Sequence, residues 1–311
     1  MLADVLATTS SFLVAVVIAV IAQLFRKGQT HAHLPLKTRQ SRAVLVTGAS
    51  RGIGKTIAAH LSFVGYAVFG SVRSQDSYDG LLKSNDDTTA QGTIIPIKFD
   101  VTNEKEIAAA VEFIQKKCRE KNLEFVGIVN NAGINPEGER YAKMQFEEQK
   151  LPDNVLVDGK TALQVLDTNV VGCFRVTKAF LPLVSKENGR IILIGSYFGT
   201  IAGALGLPHL AYEASKFALE ALADGLRRGL KGDSDCNKIK VSLLKPGNIQ
   251  TDMNQFAGES PPVTVSSDVL AALEAKRPSA RYYPGMVKGL PCKNICDFFA
   301  LLPSFITDTQ L

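Results

Sequence analysis

Short apolar runs that alternate with helical stretches are the feature of this sequence that most restricts its fold. The runs are rich in β-branched residues, and they lie at 42–48, 66–73, 93–102, 125–133, 189–196 and 239–247. Helical spacing of apolar residues is found between them, at 56–65, 105–120, 161–184 and 212–230. Buried strands that alternate with helices are typical of α/β proteins. The pattern therefore predicts a doubly wound parallel sheet between two layers of helices.

A glycine-rich turn joins the first predicted strand to the first predicted helix. It reads TGASRGIG (47–54). Gly48 permits a tight turn, Gly52 lets the backbone approach a pyrophosphate, and Gly54 lets the helix and the strand pack closely. The start of the helix then offers free N–H groups and the positive end of its dipole to phosphate. This placement favours a dinucleotide site over a plain turn, although the spacing GxxxGxG differs from the more general GxGxxG.

The end of the second predicted strand indicates which dinucleotide is bound. In the general scheme, an acid about 20 residues beyond the glycines binds a ribose 2′-hydroxyl. Here the segment GSVRS (70–74) holds Arg73 and no acid. An arginine can form charge-assisted hydrogen bonds with a 2′-phosphate, which an acid would repel, and Arg51 in the glycine turn adds a second cation. The sequence therefore favours NADP(H), with NAD(H) as the alternative if Arg73 is only solvated.

Tyr212 and Lys216, in the segment YEASK, stand four residues apart and therefore on one helix face. Free tyrosine titrates near 10, and a nearby ammonium stabilises a phenolate. Such a phenol can exchange a proton with an alcohol or carbonyl oxygen while hydride moves to or from nicotinamide. Ser196 follows the fifth predicted strand, and its hydroxyl can bond the same substrate oxygen. The pair alone is common on helix surfaces, but together with the glycine turn and the serine we interpret it as catalytic.

Six motifs occur in the order shown by the short-chain dehydrogenase/reductase family, and residues 42–255 resemble that family. The motifs are TGASRGIG, NNAG (130–133), Asn169 in TNVVG, Ser196, YEASK and PGNIQT (246–251). The resemblance implies one Rossmann-fold catalytic domain over 42–311, with a seven-stranded parallel sheet. It also implies a catalytic tetrad made of Asn169, Ser196, Tyr212 and Lys216.

The same resemblance implies which residues surround the cofactor. Lys216 is also expected to hold the nicotinamide ribose, and Asn169 a water in a proton relay. Asp100 and Val101 are expected at the adenine edge. The full expected set is Thr47, Gly48, Ser50, Arg51, Gly52, Ile53, Gly54, Arg73, Asp100, Val101, Asn131, Ala132, Gly133, Tyr212, Lys216, Pro246, Gly247, Ile249 and Thr251. The loop 137–160 and the interval between Ser196 and Tyr212 are long for the family, so the resemblance says least about the shape of the substrate pocket.

Residues 5–25 (VLATTSSFLVAVVIAVIAQLF) carry no charge. As a helix at about 1.5 Å per residue they would span roughly 30 Å, the thickness of a bilayer core. A cleaved signal peptide is the alternative, but Asp4 stands where such a peptide needs positive charge. We therefore expect a membrane anchor over 1–25 and a basic linker over 26–41. The positive charge of the linker lies on the C-terminal side of the anchor, which predicts that the catalytic domain faces the cytosol. The endoplasmic reticulum is the expected membrane.

The positive charge of the chain is concentrated in one short segment. The formal net charge is +5, and residues 26–42 hold five Lys or Arg residues and no acid. The rest of the chain is therefore close to neutral, which argues against a spread-out nucleic-acid face. The five cysteines lack the spacing of a metal site or a disulfide framework, so we expect reduced packing residues and no metal.

The C-terminal segment indicates the kind of substrate. RPSARYYPG (277–285) and LLPSF (301–305) resemble membrane-bound retinol, steroid and hydroxybutyrate dehydrogenases of the family. Residues 248–311 are expected to form an apolar lid or to lie on a bilayer, with ordinary packing as the alternative. The candidate side chains are Phe298, Phe299, Leu301, Leu302 and Phe305.

We therefore expect a small lipophilic substrate such as a steroid, a retinoid or a keto-lipid. The family resemblance implies a homodimer or homotetramer built through the two long helices. A catalytically silent, membrane-tethered sensor or scaffold that binds NADP(H) is the alternative, and the presence of all four tetrad residues argues against it.

Overall fold

Seven parallel strands form the central sheet of the computed structural model, which describes residues 33–83, 89–136, 156–203, 207–251 and 259–301. The strands are β1 (Arg42–Val46), β2 (Ala67–Val72), β3 (Thr93–Lys98), β4 (Glu124–Asn130), β5 (Arg190–Ile194), β6 (Lys240–Leu244) and β7 (Arg281–Tyr282). Their spatial order is β3-β2-β1-β4-β5-β6-β7, and every neighbouring pair is parallel. The chain winds outward from β1 to β3, returns beside β1 at β4 and continues outward to β7. The predicted doubly wound sheet is therefore confirmed.

Helices cover both faces of this sheet. They are α1 (Leu36–Gln40), α2 (Gly52–Phe63), α3 (Gln75–Lys83), α4 (Glu104–Glu120), α5 (Gly159–Leu166), α6 (Gly172–Phe180), α7 (Leu210–Gly232), α8 (Val263–Glu274) and α9 (Cys292–Leu301). The core on one face is shared with α2, α3 and α8, and the core on the other with α4, α6 and α7. In β1, Val44 and Val46 join the first core, and Ala43 and Leu45 join the second. Because both faces are covered, the strands are continuous apolar runs rather than alternating ones.

The helix predicted over 161–184 is interrupted in the structure. A π-helical turn, Asp167–Val171, separates α5 from α6, and in it the amide of Gly172 donates to the carbonyl of Asp167. A π turn holds one residue more than an α turn, so it rotates the side chains that follow it. Asn169 lies within this turn and is buried. The interruption therefore falls at a residue that the sequence assigns to the catalytic site.

The C-terminal segment adds a strand to the sheet and also forms a small core of its own. Val265 and Val269 of α8 lie in the core beside α2, and β7 adds a parallel strand to β6. A small separate core follows, in which the hairpin of β8 (Met286–Val287) and β9 (Leu290–Pro291) and helix α9 pack around Tyr197. Within 248–311, the described elements that can cover a pocket are therefore this hairpin and α9. All five cysteines are buried and unpaired by disulfides, as predicted.

Several predicted features fall outside the described residues. These are the anchor over 1–25, residues 26–32 of the linker, most of the loop 137–160, and Leu302 with Phe305. Among the residues that the structure does describe, no helix is long and apolar enough to span a bilayer.

The buried carboxylate of Glu274 ties α1 to the rest of the domain. Arg39 donates to both of its oxygens, at 2.6 and 3.2 Å, Tyr66 donates at 3.2 Å, and the ring of His33 lies at 2.9 Å. Burial by itself raises the pKa of Glu274, but hydrogen bonds from Arg39, His33 and the Leu34 amide outweigh it and lower the pKa. Because the pKa of Glu274 is lowered in the folded protein, its ionised carboxylate stabilises the fold at pH values above the ordinary pKa of a carboxyl group. The contribution is lost as the pH falls through the lowered value.

Replacing Arg39 should therefore destabilise the domain. Arg39→Met leaves the Glu274 carboxylate, whose side chain is 1% exposed, without its bidentate partner. We expect the free energy of unfolding at pH 7 to fall by about 3 kcal/mol, measured by urea denaturation. Lys37→Met, an exposed position on the same helix, is the matched control and should change it by less than about 0.5 kcal/mol. Equal effects of the two changes would contradict the role given to Glu274.

Candidate active site

The glycine turn between β1 and α2 has the geometry of a phosphate-binding loop. Gly48 has φ +66° and Gly52 φ +53°, the left-handed region that glycine adopts most easily. A Cβ at Gly54 would lie 2.2 Å from the carbonyl oxygen of Gly48. Only glycine fits this crossing of the turn and the helix, so the close packing predicted for Gly54 is present.

Thr47 and Asn131 hold this turn against the end of β4. The hydroxyl of Thr47 accepts hydrogen bonds from the amides of Asn131, at 2.9 Å, and Ala132, at 3.0 Å. In return, the side-chain amide of Asn131 donates to the carbonyl oxygens of Thr47 and Gly48 at 2.9 and 3.1 Å. These bonds fix the turn at the place where the strand order reverses, between β1 and β4, and ligands bind at this place in open α/β sheets.

A cavity of about 720 Å³ opens at the C-terminal edge of the sheet beside the glycine turn. Of the predicted cofactor residues, it is lined by Gly48, Ser50, Arg51, Gly52, Ile53, Gly54, Arg73, Asp100, Val101, Asn131, Ala132, Gly133, Tyr212, Lys216 and Thr251. The predicted residues that lie outside its lining are Thr47, Asn169, Ser196, Pro246, Gly247 and Ile249. The cavity thus joins a phosphate-binding turn to the tyrosine and lysine of YEASK.

Tyr212 and Lys216 lie in the first two turns of α7 and both face the cavity. The Lys216 Nζ atom is 5.2 Å from the centre of the Tyr212 ring. It also donates to the carbonyl oxygen of Ile194, at the end of β5, at 3.2 Å. Lys216 is 7% exposed. The ammonium group therefore lies beside the tyrosine ring, in the same cavity as the glycine turn.

Ser196 and Asn169 occupy positions next to the cavity lining. The Ser196 hydroxyl accepts from the amide of Phe198 at 3.3 Å and starts the short turn Tyr197–Gly199. The Asn169 amide is held by the protein: its Oδ1 accepts from the amide of Ile134 at 2.8 Å, and its Nδ2 donates to the carbonyl of Ile134 at 3.0 Å and to Ser215 at 3.1 Å. Both N–H groups are therefore used.

These bonds connect Asn169 to the first turn of α7. Ser215, which accepts from Asn169, donates its own hydroxyl proton to the carbonyl of Tyr212 at 2.6 Å. The π turn, the end of β4 and the turn that carries Tyr212 are therefore joined through one buried amide.

The cavity also includes residues that the sequence reading missed. They are Ser71, Val72, Ser74, Ser77, Phe99, Ile134, Thr168, Ile194 and Gly195. Most directly follow, or belong to, the C-terminal ends of β2, β3, β4 and β5. The topology therefore contained a usable signal, because every residue at these strand ends faces the same edge. Ser74 and Ser77 add hydroxyl groups beside Arg73, whose side chain is 66% exposed and lies 3.8 Å from Asp100.

Fold and cavity together define a nucleotide-binding α/β domain with a tyrosine–lysine pair at its ligand edge. The sequence pattern of the family described as "short chain dehydrogenase" matches residues 42–261. The chain belongs to this family.

Curated relatives include dehydrogenases of several substrates. D-beta-hydroxybutyrate dehydrogenase, mitochondrial, of Mus musculus is 32% identical over 218 residues, covering 70% of this chain and 57% of the relative. 17-beta-hydroxysteroid dehydrogenase type 6 of Bos taurus is 31% identical, covering 75% of this chain and 63% of the relative. Retinol dehydrogenase 16 of Homo sapiens is 29% identical, covering 73% and 61%. The similarity thus spans less than two thirds of the length of these relatives.

Solved structures agree with the fold. A short chain dehydrogenase from Burkholderia cenocepacia, in complex with NADP, has a TM-score of 0.64 and 22% identity, covering 88% of this chain and 98% of that one. At this identity the similarity concerns the fold alone. No cluster of three or more His, Cys, Asp or Glu residues suited to a metal ion is found in the part of the chain that the structure describes.

Proposed function

We propose that this protein is an NADP(H)-dependent oxidoreductase that interconverts an alcohol and a carbonyl on a lipophilic substrate. The observation that carries the proposal is that one cavity holds both the glycine turn and the Tyr212–Lys216 pair. The turn fits a dinucleotide, because the free N–H groups at the start of α2 can donate to a phosphate and the glycine backbone at Gly48 and Gly52 lets the main chain approach it. When bound, the nicotinamide supplies or accepts the hydride.

Tyr212 moves the proton in this proposal. On reduction, its phenol donates a proton to the substrate oxygen, and on oxidation its phenolate takes one back. Lys216 stabilises the phenolate through its charge and is held in place by Ile194. Ser196 donates its hydroxyl proton to the same substrate oxygen while its Oγ accepts from the Phe198 amide. Asn169 keeps the turn that carries Tyr212 in register through Ser215.

Arg73 supports a preference for NADP(H). It follows β2, lines the cavity and is accompanied by two serines, Ser74 and Ser77, that can donate to a 2′-phosphate. Asp100 is the acid nearest to it, at 3.8 Å, on the neighbouring strand end. That pair is largely exposed and leaves the outer side of the guanidinium available, because Arg73 is 66% exposed.

Replacing Arg73 should change the choice between the two cofactors. Arg73→Asp removes the charge-assisted hydrogen bonds to the 2′-phosphate and adds a repelling carboxylate. We expect the KM for NADPH to rise about 30-fold or more and the KM for NADH to change less than about threefold, measured by initial rates. Arg119→Asp, an exposed position at the end of α4, should leave both values unchanged. An unaltered ratio in Arg73→Asp would reject the proposed preference.

A lipophilic substrate is supported by exposed apolar side chains of the C-terminal segment and by the relatives. The hairpin and α9 place Leu290, Phe298 and Leu301 at the surface, 51%, 37% and 68% exposed. The relatives' names refer to hydroxybutyrate, hydroxysteroid and retinol. We extend the proposal to a membrane anchor in residues 5–25, in the endoplasmic reticulum with the catalytic domain in the cytosol.

A homodimer or homotetramer is also part of the proposal. Apolar side chains are exposed along α5, the π turn, α6 and α7, and they are Leu163, Val171, Phe174 and Phe217. Such a stripe on neighbouring helices suits a second copy of the chain.

The experiment that tests the proposed reaction is NADPH oxidation with a panel of keto-steroids, retinal and 3-keto-lipids, alongside a binding titration of NADPH. Turnover with at least one class supports the proposal. Tight NADPH binding with no turnover on any of them would favour the silent sensor or scaffold instead.

A further inference from the structure

Exposed Lys and Arg side chains collect at the edge of the sheet opposite the cavity. Because all seven strands are parallel, the segments that lead into them lie on this one edge, which we call the base edge. Cations precede five neighbouring strands, β1, β4, β5, β6 and β7, and the exposed ones are Lys37, Lys121, Lys186, Lys238, Lys240, Lys276 and Arg277. Outside residues 26–42 the chain is close to neutral, so the fold separates charges that the sequence intermixes.

Most described acids of the base edge are neutralised by neighbours. The pairs are Glu120–Lys117 at 2.7 Å, Glu124–Arg42 at 3.4 Å, Glu187–Lys238 at 2.6 Å and Glu274–Arg39 at 2.6 Å. Asp233 accepts from the amides of Asp235 and Cys236 within its own turn. The charge of Lys238 is matched by Glu187, so the balance of the edge is set by the remaining exposed cations against two acids, Asp233 and Asp235. These cations are Lys37, Lys121, Lys186, Lys240, Lys276 and Arg277.

Apolar side chains are exposed at the other half of the same edge. Helices α2 and α3 run antiparallel to the strands, so their C-terminal ends reach the base edge. Phe63 at the end of α2 is 52% exposed, Leu82 near the end of α3 is 48% exposed, and Leu36 of α1 is 39% exposed. Large apolar groups beside a row of cations are typical of surfaces that bind the interface of an anionic bilayer.

The path of the chain leads from this edge to the apolar N-terminal segment. Residues 33–40 are fixed to the base edge through Glu274. Seven residues, 26–32, separate them from the uncharged stretch 5–25, and they include Arg26 and Lys27. Even fully extended, seven residues reach roughly 25 Å. If 5–25 enters a bilayer, the base edge must stay close to that bilayer.

We propose that the base edge is the face on which the domain rests against a bilayer containing anionic lipid. Phe63, Leu36 and Leu82 contact the headgroup region, and the row of cations from Lys37 to Arg277 faces the lipid phosphates and carboxylates. The cavity opens at the opposite edge and faces away from the membrane. The exposed apolar side chains of α9 and the β8–β9 hairpin then cover the substrate and do not touch lipid.

The apolar side chains favour lipid over nucleic acid as the partner. A phosphate backbone is bound by cations and polar groups, and it gives no compensation for Phe63, Leu36 or Leu82. A bilayer interface removes such side chains from water while its headgroups attract the cations. This inference rests on the base edge and on the anchor proposed for residues 5–25, and it is independent of the substrate and of the reaction.

The orientation can be measured on the full chain reconstituted in vesicles of phosphatidylcholine with phosphatidylserine. An environment-sensitive dye is attached at Phe63→Cys in one sample and at Leu290→Cys, an equally exposed apolar position on the opposite edge, in the other. The five native cysteines are buried, so labelling is selective. Lipids with a spin label near the headgroup should quench the dye at position 63 and leave the dye at position 290 bright. Quenching at 290 alone, or at both positions equally, would overturn the proposal.

The contribution of charge is tested in the same assay with the dye at position 63. Lys276→Glu with Arg277→Glu should reduce the ratio of quenched to unquenched dye about tenfold in vesicles with phosphatidylserine at low salt. The loss should shrink as salt is added, and it should be absent in pure phosphatidylcholine. Lys105→Glu with Lys160→Glu, the same charge change at the starts of α4 and α5 on the opposite edge, is the matched control and should have no effect.

Two results of the charge test would overturn the proposal. One is equal quenching in the base-edge variant, the control and the unaltered protein. The other is binding of a labelled oligonucleotide at physiological salt that the base-edge variant loses while its quenching persists, which would identify a nucleic-acid surface. NADPH-dependent turnover is measured in parallel and should be unchanged in both charge variants. A failure of the proposed reaction would therefore appear as absent turnover with the quenching pattern intact.

Discussion

Tyr212→Phe should reduce turnover about a thousandfold while the affinity for NADPH changes less than about threefold. The substitution removes one hydroxyl group and keeps the ring, which lies 5.2 Å from the Lys216 Nζ atom. Without the hydroxyl, position 212 has no proton to exchange with the substrate oxygen, whereas the glycine turn is untouched. The measurement is kcat with saturating NADPH and carbonyl substrate, paired with a fluorescence titration of NADPH.

The matched control for this prediction is Tyr78→Phe. It removes a phenol hydroxyl from α3, outside the cavity lining, and turnover should stay within about twofold of the unaltered enzyme. Retained turnover in Tyr212→Phe would reject the tyrosine as acid and base. A loss of NADPH binding equal to the loss of turnover would instead assign Tyr212 to the cofactor site.

Lys216→Met should impair both turnover and NADPH binding. Methionine has a similar length and no charge, so the buried position stays filled while the ammonium beside the phenol is lost. We expect kcat/KM for the carbonyl substrate to fall about a thousandfold and NADPH affinity to fall about tenfold, because the lysine also faces the expected position of the nicotinamide ribose.

Lys231→Met, an exposed position in the last turn of the same helix, should alter neither quantity. Circular dichroism of all the variants checks that the fold is retained. Normal turnover in Lys216→Met would show that the ammonium has no part in proton transfer.

The strands and the glycine turn could be predicted from the sequence because their causes are local. A buried parallel strand must be a continuous apolar run, as in RIILI of β5, and the crossing at Gly54 admits no side chain. The order of the motifs then placed Tyr212 and Lys216 at the same edge as the turn. For these elements, a few neighbouring residues determine the outcome.

Other features depend on contacts between distant parts of the chain. The π turn at 167–171 leaves the apolar spacing of 161–184 nearly unchanged, so the sequence pattern does not reveal it. Within this turn, Asn169 forms hydrogen bonds with Ile134 and Ser215, which are distant from it in the sequence. The strand β7 has two residues, too few to show a pattern, and it is defined by pairing with β6.

The placement of charges also depends on contacts between distant parts of the chain. Glu274 meets Arg39 across 235 residues of sequence. The segregation of cations at the base edge appears only when the strand order is known. A chain that is nearly neutral outside one basic segment therefore still presents an edge on which exposed cations outnumber exposed acids, and no window of sequence reveals it.

The central claim is that Tyr212, assisted by the Lys216 ammonium, exchanges the proton with the substrate oxygen. The most direct test is the rate of single-turnover alcohol oxidation at saturating NADP⁺ in the unaltered enzyme, in Tyr212→Phe, in Lys216→Met and in the double variant. The account predicts that each single change slows the reaction about a thousandfold and that the double variant is little slower than either, because the two groups act as a unit. A double variant slowed by the product of the two single losses would contradict it.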